Sequence, residues 1–236
     1  MIKREKLLEH IKEFSRHANS YDSHTVIQKE VATHLTCKIK NNPKKVLDLG
    51  CGSGAIHRNM KPNYELFIGV DNSANMCELH PKGENTIILN QSFESEEFFK
   101  YIKVYAPLDL IVSSSALQWS KNLNNVIKSC KTISDNILFS IFTKGTFKSI
   151  YEMTQRESFL PSVEEVVAIV SKYYDIDYEV KRYKLEFDDN ISKFRYIKRS
   201  GVSGGKKELT LIQTKELIKN YPYSFLEFEV VFISSK

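Results

Sequence analysis

Val46-Leu47-Asp48-Leu49-Gly50-Cys51-Gly52-Ser53-Gly54 is the stretch that decides the fold of this chain. An apolar run of strand character ends there in a turn with three alternating glycines. Glycine is needed where the backbone takes positive φ, or where a ligand comes closer than a Cβ allows. A second apolar run, Leu66-Phe67-Ile68-Gly69-Val70, ends on Asp71. A carboxylate about 20 residues beyond a glycine turn suits a pair of ribose hydroxyls. Together the two stretches describe a pocket for an adenosine-bearing ligand.

The spacing narrows which ligand. Gly50, Gly52 and Gly54 make G-x-G-x-G, whereas a dinucleotide site uses G-x-G-x-x-G to seat a pyrophosphate on a helix N-terminus. The Lys and Ser/Thr of a phosphate-binding P-loop are missing. Asp48, two residues before the first glycine, would repel a pyrophosphate but can serve a cationic or amino-bearing ligand. These residues resemble motif I of the class I S-adenosylmethionine-dependent methyltransferases, whose cofactor carries an amino acid and a sulfonium and no phosphate. The resemblance implies S-adenosylmethionine as methyl donor and S-adenosylhomocysteine as product.

Around this core, short apolar runs at 66–70, 86–89, 108–113 and 137–142 alternate with helical stretches, the mark of a parallel sheet covered on both faces. Two amphipathic helices are predicted ahead of it, over 5–17 and from Ser23, a candidate N-cap, to about Lys38. After it come helical sequence to Tyr173, β-rich sequence at 175–187, a basic helix at 190–200, a helix at 214–220 and a strand at 225–234. The order resembles the seven-stranded, mostly parallel, Rossmann-like α/β sheet of class I methyltransferases, whose last strand inserts antiparallel. The expectation is one domain over 1–236: a helical cap (1–40), a cofactor-binding core (44–142), a lid insertion with the sixth strand (143–213), and a final helix and strand (214–236). The cap and lid would sit over the carboxyl ends of the strands, where open α/β sheets bind ligands.

Bulk properties exclude little. The 34 basic and 29 acidic residues give +5, mild for a nucleic-acid binder. Cys37, Cys51, Cys77 and Cys130 show neither C-x-x-C nor His/Cys ligand spacing, so no metal site or disulfide framework is expected. The first residues, Met1-Ile2-Lys3-Arg4-Glu5-Lys6, lead into no apolar signal core, and no run approaches the roughly 20 apolar residues of a membrane span. A cytoplasmic protein without a membrane role is expected.

Carried onto these positions, the family pattern passes the cofactor's methionine portion over Gly50, Cys51, Gly52 and Gly54. Asp48 either orders the loop or meets the ammonium group through water, and Asp71 accepts from the ribose. The family places an acid after the third strand for the adenine amino group. Here Asn90-Gln91-Ser92-Phe93-Glu94 puts Ser92 at that position, with Phe93 able to flank the ring. Asn72, Ser73 and Met76 either line the other ring face or serve as helix cap and core. Ser113, at the end of the fourth strand, is expected beside the cofactor.

The residues at the end of the fourth strand and beyond it bear on the acceptor. Ser113-Ser114-Ser115-Ala116-Leu117-Gln118-Trp119 contains no Asn/Asp-Pro-Pro-Tyr, which removes the main support for methylation of a flipped base. The Leu-Gln-Trp ending resembles carboxylate O-methyltransferases, above all the malonyl-[acyl-carrier protein] O-methyltransferases of biotin synthesis and, more distantly, trans-aconitate methyltransferases. Phe14-Ser15-Arg16-His17-Ala18-Asn19-Ser20-Tyr21, the Gln28-to-Ala32 segment and Tyr196-Ile197-Lys198-Arg199-Ser200-Gly201 are similar to further segments of the malonyl family. A carboxylate is ionised at neutral pH and needs no general base, which fits a site without a His/Asp dyad. The expected acceptor-positioning residues are Tyr21, Gln28, Gln118 and Trp119, with Lys198 or Arg199 as cationic clamp.

The expected partner is malonyl-acyl carrier protein or malonyl-CoA. Between Lys181 and Lys207 the bases Lys181, Arg182, Lys184, Lys193, Arg195, Lys198, Arg199, Lys206 and Lys207 face only Glu186, Asp188 and Asp189. This strip is either a surface for an acidic carrier protein or a solvated lid. A methyltransferase for a free carboxylic acid or a ring carbon is the alternative. A nucleic-acid methyltransferase or binder ranks behind it, because no aromatic stacking platform interleaves the bases.

Overall fold

The computed structural model describes residues 25–60, 63–199 and 211–236. Its centre is a seven-stranded sheet of β1 (Lys45–Leu49), β2 (Leu66–Asp71), β3 (Thr86–Asn90), β4 (Leu110–Ser114), β5 (Ile137–Phe142), β6 (Ile176–Glu186) and β7 (Phe225–Ser235). The strand order is β3-β2-β1-β4-β5-β7-β6. The first five strands run parallel, and β7 lies antiparallel between β5 and β6. The parallel part is the sheet expected from the alternation of runs, and the antiparallel β7 is what the resemblance to class I methyltransferases implied. The chain leaves β1 towards β2 and β3, then returns past β1 to β4. That reversal opens a crevice at the carboxyl ends of β1 and β4, the place where doubly wound sheets bind ligands.

Successive strand residues face opposite sides, so each central strand feeds two cores. Leu47, Leu49, Ile68, Val70, Ile111, Phe139 and Ile141 pack on one face. Val46, Phe67, Val112, Leu138, Phe228 and Phe232 pack on the other. On this second face lies α1 (Val26–Thr36), which buries Ile27, Val31, Ala32 and Leu35. Its N-cap is Thr25, and Ser23 lies outside the described residues. The connecting helices are α2 (Ala55–Asn59), α3 (Ala74–Leu79), α4 (Glu96–Ile102) and α5 (Leu123–Lys131). Ser73, Ser95 and Asn122 cap the last three by accepting backbone N–H bonds.

The stretch 143–213, expected as a lid over the strand ends, is divided. It contains α6 (Lys148–Met153), α7 (Val163–Val170), the edge strand β6 and α8 (Asn190–Arg199). A capping box between Ser162 and Glu165 starts α7. Its Val166 and Val170, with Tyr174 beyond it, are buried in the first core, so α7 covers a sheet face as an ordinary crossover helix. Tyr196 of α8 is buried in the second core with its ring edge-on to Phe187 and Phe228. The helix α9 (Leu211–Asn220) leads into β7. Among the described residues no helix is long and apolar enough to cross a membrane.

Candidate active site

A cavity of about 370 Å³ opens at the carboxyl ends of β1, β2 and β4 and is roofed by the first turns of α1. Its floor is the turn after β1. Gly50 and Cys51 donate their N–H groups to Val70 O at 2.8 and 3.0 Å, binding this turn to the end of β2. Gly50 (φ 73°) has no room for a side chain: a Cβ there would stand 2.2 Å from the Ala116 Cβ. Gly52 (φ 51°) is the opposite case, since a Cβ would meet nothing within 4 Å. Open space beside exposed backbone is what close approach of a ligand requires.

Two carboxylates stand at this floor in contrasting states. Asp71 accepts from Gly52 N–H at 2.9 Å and from Ser73 N–H at 2.8 Å, tying the two turns together. Burial pushes its carboxyl up, and those two hydrogen bonds pull it back. Asp48 is 1% exposed, and neither of its oxygens has a hydrogen-bond partner among the described residues. Its register neighbours, Gly69 on β2 and Val112 on β4, have no polar side chain to offer. Burial, and secondarily the charge of Asp71, push its carboxyl up to about 8. A buried acid without partners signals a missing cation or donor. Cys51 beside it is also buried, and its thiol is held far above its usual range by burial.

Behind the turn, His57 stacks on Phe67 (4.3 Å between ring centroids) and on His80 (5.1 Å), and meets the Tyr64 hydroxyl through Nε2. His80 donates from Nδ1 to Pro81 O at 2.8 Å. Burial lowers both imidazoles, that of His80 to about 4.

Of the residues singled out in the sequence, Asp48, Gly50, Cys51, Gly52, Asp71, Asn72, Ser73, Met76, Phe93, Gln28 and Trp119 all line this cavity. Five do not. Ser113 is fully buried and donates its hydroxyl to Leu49 O at 2.6 Å, so it staples β4 to β1. Ser92 turns its hydroxyl to the Glu94 N–H, a local turn bond. Gly54 serves packing, because a Cβ there would lie 2.5 Å from Pro81 Cδ. Gln118 donates its amide to Ser115 O at 2.7 Å instead of facing the cavity. Lys198 is exposed on α8 and is not among the lining residues. Tyr21 and the side chain of Arg199 lie outside the described residues.

Sequence reasoning missed Glu94, Ser114, Ser115 and Ala116, which all line the cavity. Glu94 Oε1 accepts from Ser120 Oγ (2.7 Å) and Lys121 N–H (2.6 Å), joining the loops after β3 and β4. Its acidity, two residues past Ser92, was the available signal. At the far wall Trp119 stacks on Phe159 with centroids 5.6 Å apart. Among the described residues no group of three or more His, Cys, Asp or Glu is placed to hold a metal ion.

Residues 40–187 match the family model described as a methyltransferase domain. The match spans more than half of the chain, which therefore belongs to the methyltransferase domain family, in the class that uses S-adenosylmethionine. Within that class it is similar to malonyl-[acyl-carrier protein] O-methyltransferases. That of Bacillus cereus is 25% identical over 197 residues, covering 79% of this chain and 72% of the relative. That of Bacteroides thetaiotaomicron is 28% identical over 218 residues, covering 86% and 80%. Among solved structures, YcgJ of Bacillus subtilis superposes with a TM-score of 0.62 at 16% identity, covering 88% of this chain and 98% of that one. A possible histamine N-methyltransferase of Thermotoga maritima gives 0.56 at 16%, covering 96% and 99%. These two likenesses concern the fold.

Proposed function

We propose that this methyltransferase acts on the free carboxylate of malonyl-[acyl-carrier protein], an early step of biotin synthesis. The observation that carries the cofactor half of this reading is Asp48, a buried carboxylate without a partner at the lip of an open glycine turn. It would take the ammonium of the cofactor's amino acid, with Asp71 accepting from the ribose and Met76 and Phe93 flanking the base. Asp71 keeps lone pairs free for this, because each of its oxygens accepts one backbone N–H. When bound, S-adenosylmethionine supplies a methyl carbon on cationic sulfur; an acceptor oxygen bonds to that carbon as the C–S pair returns to sulfur.

The acceptor half rests on chemistry and on the relatives' names. No histidine lines the cavity among the described residues, and in this reading its three carboxyls have other tasks: Asp48 meets the ammonium, Asp71 the ribose, and Glu94 holds Ser120 and Lys121. A carboxylate oxygen arrives deprotonated and needs no base. What remains for the protein is alignment and exclusion of water, and positioning can contribute about 7–11 kcal/mol. Trp119, which lines the cavity and stacks on Phe159, supplies an aromatic wall for that purpose.

One observation favours a second reading, a small free carboxylic acid as acceptor. One base of the strip is withdrawn from any docking surface: Lys193 is buried, with its ammonium donating to Asn190 Oδ1 at 2.9 Å and to Tyr223 O. Arg182 pairs with Glu229 at 2.9 Å, and the Lys184 ammonium lies 4.1 Å from the Phe225 ring centroid. Incubation with S-adenosylmethionine and malonyl-carrier protein, followed by intact-mass measurement, is expected to show the carrier heavier by one methylene. No gain, with turnover of a small free acid, overturns the carrier-protein assignment.

A further inference from the structure

We propose that Ser115 is the group that orients the methyl acceptor, and that Gln118 is a positioning residue acting through it; the inference rests on a carboxylate as acceptor. Ser115 comes directly after β4 and holds φ at 58°, in the left-handed region. For a serine this conformation is unfavourable, and non-glycine residues held in it cluster at functional sites. Two hydrogen bonds hold it there: Ser115 N–H donates to Ser140 O at 2.9 Å, and Gln118 Nε2 donates to Ser115 O at 2.7 Å. Ser115 lines the cavity, and its hydroxyl is buried without a partner among the described residues. Ser113 and Ser114 differ from it, because each has its hydroxyl engaged, with Leu49 O and with Ser140 Oγ. A buried hydroxyl with nothing to bond, on the wall of a binding cavity, is a donor awaiting a ligand acceptor.

The sheet order says which ligand. Asp71 marks the ribose end at β2, and Asp48 marks the amino-acid end at β1. Ser115 lies across β1 from Asp71, at the end of β4, and its N–H leans further away, to β5. Neighbouring strands are about 4.8 Å apart, so two strand spacings separate Ser115 from the ribose end. It stands where an acceptor enters.

A neutral donor also suits the chemistry better than the cationic clamp expected from Lys198. Carboxylate and sulfonium lose their charges as the methyl moves, so a strong ionic bond to the carboxylate stabilises the ground state more than the transition state. A serine hydroxyl bonded to the non-attacking oxygen fixes direction and leaves the attacking lone pair free.

Ser115→Gly tests this without breaking the turn, because glycine adopts positive φ freely. The variant is expected to keep S-adenosylhomocysteine affinity within about twofold by calorimetry, and its thermal midpoint should not fall. Its kcat/KM for the carboxylate acceptor should fall about tenfold to a hundredfold, the range for losing one hydrogen bond to a charged group. Gln118→Ala should lower kcat/KM in the wild-type background and have no further effect in the Ser115→Gly background. Undiminished kcat/KM in Ser115→Gly, or a matching loss of S-adenosylhomocysteine affinity, overturns the assignment of Ser115. Equal losses from Gln118→Ala in both backgrounds overturn the role of Gln118. Wild-type turnover of a small acid but not of malonyl-carrier protein overturns the substrate proposed above and leaves Ser115 to be judged on that acid. Wild-type turnover of no carboxylate overturns both.

Discussion

After β1 the chain turns on glycines with φ of 73°, 51° and 92°, while after β4 it enters the same left-handed region at Ser115, with φ 58°. Both turns sit at the carboxyl end of a parallel strand, and both line the cavity. The first reaches its conformation by having no Cβ, so its geometry is intrinsic. The second is imposed by hydrogen bonds from its surroundings, to Ser140 and from Gln118. A turn of the first kind can be read from residue types. The second kind depends on neighbours that meet only in the folded chain.

The sharpest way to break this comparison is Gly50→Ala. The added Cβ would stand 2.2 Å from that of Ala116, so the turn after β1 would collide with the turn after β4. Clash and left-handed strain together should cost about 3 kcal/mol or more, read as a shifted urea midpoint, with cofactor binding lost in calorimetry. Gly52→Ala meets open space; it should carry only backbone strain of about 1 kcal/mol, yet still impair binding. Equal destabilisation by the two substitutions would contradict the assignment of Gly50 to packing and Gly52 to ligand approach.

Asp48→Asn separates stability from binding at the first turn. Because the native carboxyl is raised to about 8 from an ordinary 3.8, its contribution to stability is complete below about pH 4 and is lost as pH rises towards 8. The apoprotein should therefore weaken from pH 5 to pH 8 through this group, and Asp48→Asn should flatten that slope. The same variant should bind S-adenosylmethionine about tenfold or more weakly, since a charge-assisted bond is lost. Unchanged affinity would remove Asp48 from the ammonium site.

His80 tests the support behind the glycine turn from the acid side. Its imidazole is lowered to about 4 from 6.5 by burial, so the stability it contributes is complete above 6.5 and falls away as pH drops towards 4. Between pH 7 and pH 5 this amounts to about 2 kcal/mol. Urea titrations at the two values should show it, and His80→Phe should reduce it. The smallest effect is expected from Lys198→Glu, an exposed residue that does not line the cavity: stability within about 0.5 kcal/mol of wild type and unchanged cofactor affinity. A large loss of acceptor turnover there would return the cationic clamp to consideration against Ser115.

Legibility divides along the same line. The strand alternation, the glycine turn, Asp48 and Asp71 are readable because hydropathy period and the absence of a Cβ are local properties. The sequence points to Ser113 and not to Ser115, because three serines in a row look alike until the pleat assigns each a direction. Ser113 faces Leu49 O, whereas Ser115 has left the strand. Gln118 reads as an acceptor-positioning residue in the sequence, and in the fold its amide holds the backbone of Ser115. The basic strip counts as one surface in the sequence, yet in the fold Lys193 is interior and Arg182 is paired with Glu229, while Lys184, Arg195 and Lys198 stay exposed.

By itself the sequence determined a parallel α/β sheet with an open glycine turn from 50 to 54 after its first strand, since those features arise from what each residue can do with its own backbone and its immediate neighbours. Only the tertiary structure decided which hydroxyl lacks a partner, which carboxylate is stripped of hydration and which cations are drawn into the interior. The first two properties belong to the space between β1, β2, β4 and α1, where side chains distant in the chain compete for the same few hydrogen bonds and exclude water from the rest.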